Sequence, residues 1–154
     1  MRFHPLASSS HGNAYVLEDG ETFLLIECGV TYKKLQKLMG FSVSQAAACL
    51  ISHEHKDHAG CYDQLHKSGI PVYASAGTAE ALERDWMEIL EDREPVQIGS
   101  LQVLPFPTFP AAAAPMGFLI RSQRDEDKLV FATDTVNLGY QFPGVTMAAI
   151  ECNY

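Results

Sequence analysis

The sequence predicts a strand-rich α/β fold, with helices laid on one side of mainly antiparallel strands, and three observations carry that reading. Short apolar runs recur along the 154 residues, separated by Gly, Asn, Asp and Pro. Three hairpin-type turns, "EDGE" (18–21), "IGS" (98–100) and "RDED" (124–127), join neighbouring runs. Helical spacing of apolar residues occurs in only three places.

In chain order, strands are expected over 3–7, 14–17, 22–28, 47–52 and 71–74 in the first half. The second half adds 96–98, 101–106, 117–121, 129–133 and 145–151. The first helix is expected in "TYKKLQKLMG", where Tyr32, Leu35 and Leu38 share a side and Gly40 supplies a left-handed stop. The second falls in "DHAGCYDQLHKSG", with Cys61 and Leu65 inward, Lys67 near the C-terminal end and Gly69 after it. His66, in its last turn, is read as a residue that complements the helix dipole. The third is expected in "TAEALERDWMEILEDRE", capped by Thr78 and carrying Leu82, Trp86 and Leu90 at fourfold spacing.

Length and composition bound the answer. A chain of this size removes about 70% of its extended surface from water, so residues 1–154 are expected to form one domain. Apolar residues make up 47% and charged residues 19%, and no apolar stretch approaches the roughly 20 residues that span a bilayer. The start "MRFHPLASSSHGN" has no apolar secretory core, and a cytoplasmic location is expected. Cys28, Cys49, Cys61 and Cys152 show no CxxC spacing and are expected as reduced thiols. The formal net charge of −8 argues against a polyanionic partner, although bound divalent cations would reverse the sign locally.

The chemistry concentrates in "ISHEHKDHAG" (51–60), which places His53, His55, Asp57 and His58 in six positions. The segment follows the apolar run "AAACLIS" and precedes helical spacing, so it is expected at a strand end, turning into a helix. His53 and His55 can point to one side of an extended loop, with Asp57 and His58 entering from the first helical turn. There, Asp57 would offset the positive end of the helix dipole. Such a set can serve two adjacent cations, and imidazole with carboxylate suits zinc, with manganese and iron as further options.

"HEHKDH" resembles the HxHxDH signature of the metallo-β-lactamase fold superfamily. "LASSSHGNAYVL" (6–17), "LLIECGVTYKKL" (24–35), "VFATDT" (130–135) and "IECNY" (150–154) resemble, in order, landmarks of its WalJ-like and ribonuclease Z-related branch. The resemblance implies an αββα sandwich and a metal-dependent hydrolase, with a phosphodiester of nucleic acid or nucleotides as the preferred substrate and an activated water as nucleophile. It matches His53 and His55 to ligands of a first metal and Asp57 and His58 to ligands of a second, with Asp134 bridging both. Asp57 is implied as ligand and base together. Glu27 stands where the family often has a supporting aspartate, and Asn13 is placed near the same rim.

Two departures qualify these expectations. Pro110 and Ala111 align with a family His-Asp pair, which removes one histidine from the first metal. Family members also continue past the strand here ending "ECNY" into a second lobe, so the first lobe is expected largely present and the second missing. His4, His11 and Cys152 are the residues that could replace the lost ligands. A homodimer or partner protein is expected over the uncovered face. The alternative is a degenerate or truncated member that binds metal or a partner without catalysis. A hydrolase of small cyclic nucleotides is a further option.

Overall fold

The computed structural model describes residues 1–109, 112–135 and 137–151. Two mixed sheets lie face to face. The six-stranded sheet runs in the order β1 (Arg2–Ala7), β2 (Ala14–Glu18), β3 (Phe23–Cys28), β4 (Ala48–Leu50), β5 (Val72–Ala74), β6 (Glu88–Ile89). The five-stranded sheet comprises β7 (Val96–Ile98), β8 (Leu101–Pro107), β9 (Met116–Ser122), β10 (Lys128–Ala132) and β11 (Met147–Ile150), with β7 and β11 at its edges.

The expected hairpins form: β2 with β3, β7 with β8, and β9 with β10 are antiparallel. Parallel pairing is more extensive than the turn pattern suggested, because β3–β4, β4–β5, β5–β6 and β10–β11 all run parallel. Strand β3 shows why. Its sequence "FLLIEC" is almost continuously apolar, and all but its first residue is buried, as a strand covered on both faces requires.

Leu17, Leu24, Ile26 and Leu50 from the first sheet interdigitate with Leu101, Val103, Phe118, Ile120 and Phe131 from the second. The opposite face of the first sheet, with Val16, Leu25, Cys49 and Val72, packs under Leu35 of α1 (Tyr32–Leu38), Leu65 of α2 (Tyr62–Lys67) and Ala79 of α3 (Ala76–Ala81). On the outer face of the second sheet, Phe106, Val130 and Ala132 lie under Leu138, Tyr140, Phe142 and Val145. Fully burying a side chain of this size stabilises by about 1.5–3 kcal/mol, so these layers supply the main driving force for folding.

The helices follow the sequence unevenly. Thr31 caps α1 by accepting from the Lys34 N–H, and Gly40 takes φ 55° just beyond it. Leu38, however, is exposed, and Met39 is buried instead. Helix α2 starts at Tyr62, so Asp57 is not at a helix start; residues 56–58 form a turn closed by the His58 N–H on the His55 carbonyl at 2.9 Å.

The third helix departs furthest from expectation. Ser75, not Thr78, caps α3, and the helix ends at Ala81. Glu83 adopts φ 56° and breaks the helical path. Residues 88–89 instead extend the first sheet beside β5, and the Leu90 N–H bonds the Ala74 carbonyl. Arg84 meanwhile grips Asp63 of α2 with two bonds of 2.9 Å. Sheet pairing and this clamp override a propensity that is worth only tenths of a kcal/mol per residue.

Candidate metal centre

The cluster is set by the ends of three strands. Segment 51–60 leaves β4, Glu27 lies in β3, and Asp134 follows β10 of the opposite sheet. Backbone bonds lock the "HEHKDH" loop in place: Asn13 N–H to the Asp57 carbonyl at 2.7 Å, and Cys28 N–H to the His58 carbonyl at 2.8 Å. The approach is so close that a β-carbon at Gly29 would sit 1.6 Å from the Asp57 carbonyl oxygen. Only glycine fits there.

Five expected ligands converge. Nε2 of His53 lies 3.0 Å from Nδ1 of His55, and Nε2 of His58 lies 3.4 Å from Oδ2 of Asp57. Both Nε2 atoms face the same Oδ2 of Asp134, at 3.3 and 3.2 Å. Donor atoms held 2.0–2.1 Å from a tetrahedral zinc stand about 3.3 Å apart, so these separations fit a divalent ion. The ligand atoms of His53, His58 and Asp134 lie within 4.8 Å of one another and could hold a metal. Asp134 Oδ2 is the one oxygen that both His53 and His58 face; His55 adjoins His53, and Asp57 adjoins His58.

Neighbouring groups aim the rings. Ser52 Oγ lies 2.8 Å from His53 Nδ1, leaving Nε2 for the cluster, and reaches Thr133 Oγ1 at 3.4 Å. Asn13 Oδ1 accepts from the Ser9 N–H and the Tyr15 hydroxyl, so its Nδ2 donates toward His58 Nε2 at 3.3 Å. The proton of neutral His58 then belongs on Nδ1, which faces Glu27 Oε1 at 3.5 Å. Neither atom has a hydrogen-bond partner among the described residues, and that separation is too long for a good hydrogen bond. Glu27 Oε2 accepts from the Ser52 N–H at 3.3 Å.

The electrostatics separate the two buried histidines. Burial, then the adjacent His58, pushes His53 below the ordinary imidazole range. Burial opposes charge on His58 too, but Glu27, Asp57 and Asp134 outweigh it and hold His58 above that range. Glu151 is raised by burial and by the Asp134 carboxylate, and its Oε2 accepts the Asp134 N–H at 3.4 Å.

Backbone strain collects here as well. Glu27 takes φ 61° as the extra residue of a bulge between β2 and β3, and Asp134 takes φ 49°. A non-glycine residue in this region costs about 1–3 kcal/mol, and such positions gather at functional sites. Without the bulge, strand alternation would turn Cys28 toward the second sheet instead of the helices.

His4, on β1, pairs with Glu18 of β2 and is not in the cluster, and His11 lines a neighbouring cleft. His66 ends α2 and stacks on Trp86 at 3.8 Å. Pro110, Ala111 and Cys152 lie outside the described residues. Sequence reasoning missed Ser52, Tyr15 and Glu151. Only Ser52, adjacent to the motif, carried a positional signal. Glu54, within the motif, accepts the Ala113 N–H on both carboxylate oxygens at 3.0 and 3.1 Å, which ties Ala113 to the metal loop.

The family model described as a beta-lactamase superfamily domain matches residues 22–150. The exodeoxyribonuclease WalJ of Streptococcus pneumoniae serotype 2 is 28% identical over 100% of this chain and 63% of its own length. The ribonuclease Z of Methanopyrus kandleri is 34% identical over 65% of this chain and 40% of its own. A metallo-β-lactamase from Cronobacter sakazakii superimposes with a TM-score of 0.71 at 16% identity, covering 88% of this chain and 57% of its own. The chain thus spans about 60% of the length of the WalJ relative.

Proposed function

The chain belongs to the metallo-β-lactamase fold superfamily, in its WalJ-like and ribonuclease Z-related branch, and on that premise we propose that it is a zinc-dependent phosphodiesterase acting on nucleic acid or nucleotides. The observation that carries the reading is the meeting of His53 Nε2 and His58 Nε2 on one Asp134 oxygen. His53 and His55 would hold one ion and Asp57 and His58 a second, with Asp134 shared. A bound ion supplies an activated water near neutral pH and a counter-charge for a phosphoryl oxygen.

The chain's own residues do the rest. Asp57, with its side chain 35% exposed, can be reached by substrate and serves as base as well as ligand. Asp134, at φ 49°, presents one oxygen to both His53 and His58. Ser52 keeps the His53 ring oriented, which spares reorganisation during the reaction, and Glu27 and Asn13 support the site as the groups beside His58. We assign the whole of 1–154 to this one domain, in a cytoplasm that keeps the free thiols of Cys28, Cys49 and Cys61 reduced. A homodimer or partner protein beside β11, which ends the second sheet among the described residues and exposes Ile150, completes the reading.

Elemental mass spectrometry on protein dialysed against zinc, coupled to hydrolysis of bis(p-nitrophenyl) phosphate, tests it. One or two ions per chain and turnover abolished by His55→Ala are expected. No retained metal would overturn the hydrolase reading and favour a non-catalytic subunit, which the Pro110 substitution supports.

A further inference from the structure

A cleft of about 390 Å³ opens directly beside Asp57, lined by Ser10, His11, Val30, Thr31 and Lys56. The mechanism above uses none of these five. Sites for small organic ligands occupy roughly 300–1,000 Å³, and a cleft at the low end takes one nucleotide unit.

Its chemistry is that of a phosphate and sugar site. The Lys56 ammonium makes no ion pair among the described residues, although Asp57 is its neighbour in sequence. Thr31 Oγ1 accepts the Lys34 N–H at 3.3 Å, so its own O–H is left to donate. Ser10 adds a second hydroxyl and His11 an imidazole. Buried Val30 and the glycines 29 and 60 form an apolar floor on which a sugar can lie.

The surrounding charge points the same way. The chain carries 19 acidic residues against 11 lysines and arginines, yet residues 28–53 contain Lys33, Lys34 and Lys37 and no Asp or Glu. Those lysines lie on α1, which starts one residue after the cleft's Thr31, and make no ion pairs among the described residues. Basic residues on the helix that follows the cleft bias the local field of an acidic protein toward an anion.

We propose that this cleft binds the phosphate and sugar of the nucleotide next to the scissile bond, with Lys56 as its phosphate cation. The inference rests on the phosphodiesterase reading and narrows it: the preferred substrate carries a second phosphate one nucleotide away from the reacting one. An oligonucleotide does, and a simple diester does not.

The test compares two chromogenic substrates, the 5′-(p-nitrophenyl phosphate) of thymidine with and without an added 3′-phosphate. With the zinc-loaded chain, the 3′-phosphate is expected to lower KM about tenfold. Lys56→Gln should erase that advantage and leave KM for the singly phosphorylated ester within about twofold. Equilibrium dialysis of thymidine 3′,5′-bisphosphate supplies a readout without turnover, and Lys56→Gln should weaken binding about tenfold.

If the esters turn over but the 3′-phosphate gives no advantage, or Lys56→Gln raises both KM values equally, the subsite is overturned and the hydrolase reading stands. If neither ester turns over but the bisphosphate binds in a Lys56-dependent way, the hydrolase reading falls and its scissile-bond placement with it, and the cleft stands as a nucleotide-phosphate site alone. Bisphosphate binding that is absent or indifferent to Lys56→Gln overturns the subsite.

Discussion

The Oγ of Ser52 lies 2.8 Å from Nδ1 of His53, on the ring nitrogen opposite the one that faces Asp134. A ligating imidazole is held in the right tautomer by whatever its other nitrogen bonds, and loss of such a partner costs about 10–100-fold in metal affinity. Ser52→Ala is therefore expected to weaken zinc binding by that factor in a competitive chelator titration, with unchanged circular dichroism. Wild-type affinity in the variant would show that packing alone orients the ring.

Gly29 has no room for a side chain, because its β-carbon would overlap the Asp57 carbonyl. Gly29→Ala must separate β3 from the metal loop and break the Cys28–His58 and Asn13–Asp57 backbone bonds. A loss of about 3 kcal/mol or more is expected, read as a lower urea midpoint or as insoluble protein. An unchanged midpoint would mean that the loop shifts freely.

Asp19 ties the two sheets together. Its Oδ2 accepts from Ser100 at 2.6 Å and Ser122 at 2.8 Å, and its Oδ1 from the N–H groups of Glu21 and Thr22. Partial burial raises its pKa, but these bonds prevail and bring it down to about 2. A carboxyl depressed in the folded state stabilises fully above its unfolded value near 4 and loses that contribution as pH falls toward 2. With solvent screening allowed for, the contribution is about 1–2 kcal/mol. Asp19→Ala should show it as a urea-unfolding difference at pH 6 that shrinks toward pH 2.

Metal removal should reach the whole fold, since the ligands join both sheets. Binding to the native state alone adds about 2.7 kcal/mol at a free concentration 100 times Kd. Thermal melts with zinc and with EDTA should differ accordingly in wild type and coincide in Asp134→Ala. A zinc-dependent shift that survives Asp134→Ala would place the ion elsewhere.

The buried thiols should be inert. Cys28 is held well above the usual thiol range, first by its contact with Cys49 and also by burial, and Cys61 by its contact with Cys28 and by burial. Peptide mapping after treatment with a disulfide reagent is expected to find Cys28, Cys49 and Cys61 unlabelled in the native protein and labelled in urea. Native labelling would reveal opening of the α2 side of the core.

The residues by themselves determined the ligand types, their spacing after an apolar strand, the hairpins and the run of strands. Those features follow from local rules: alternation, turn chemistry, and the clustering of His and Asp at a strand end. Tertiary structure alone decided that "EILE" would extend a sheet and not a helix, because pairing with β5 outweighs local propensity. It also decided the strained conformations of Glu27 and Asp134, and the meeting of His53 and His58 on one oxygen carried by the opposite sheet. Asp134 is more than 70 residues from either histidine, so no local pattern encodes that distance. The packing of two sheets across the Leu24–Phe118 core does.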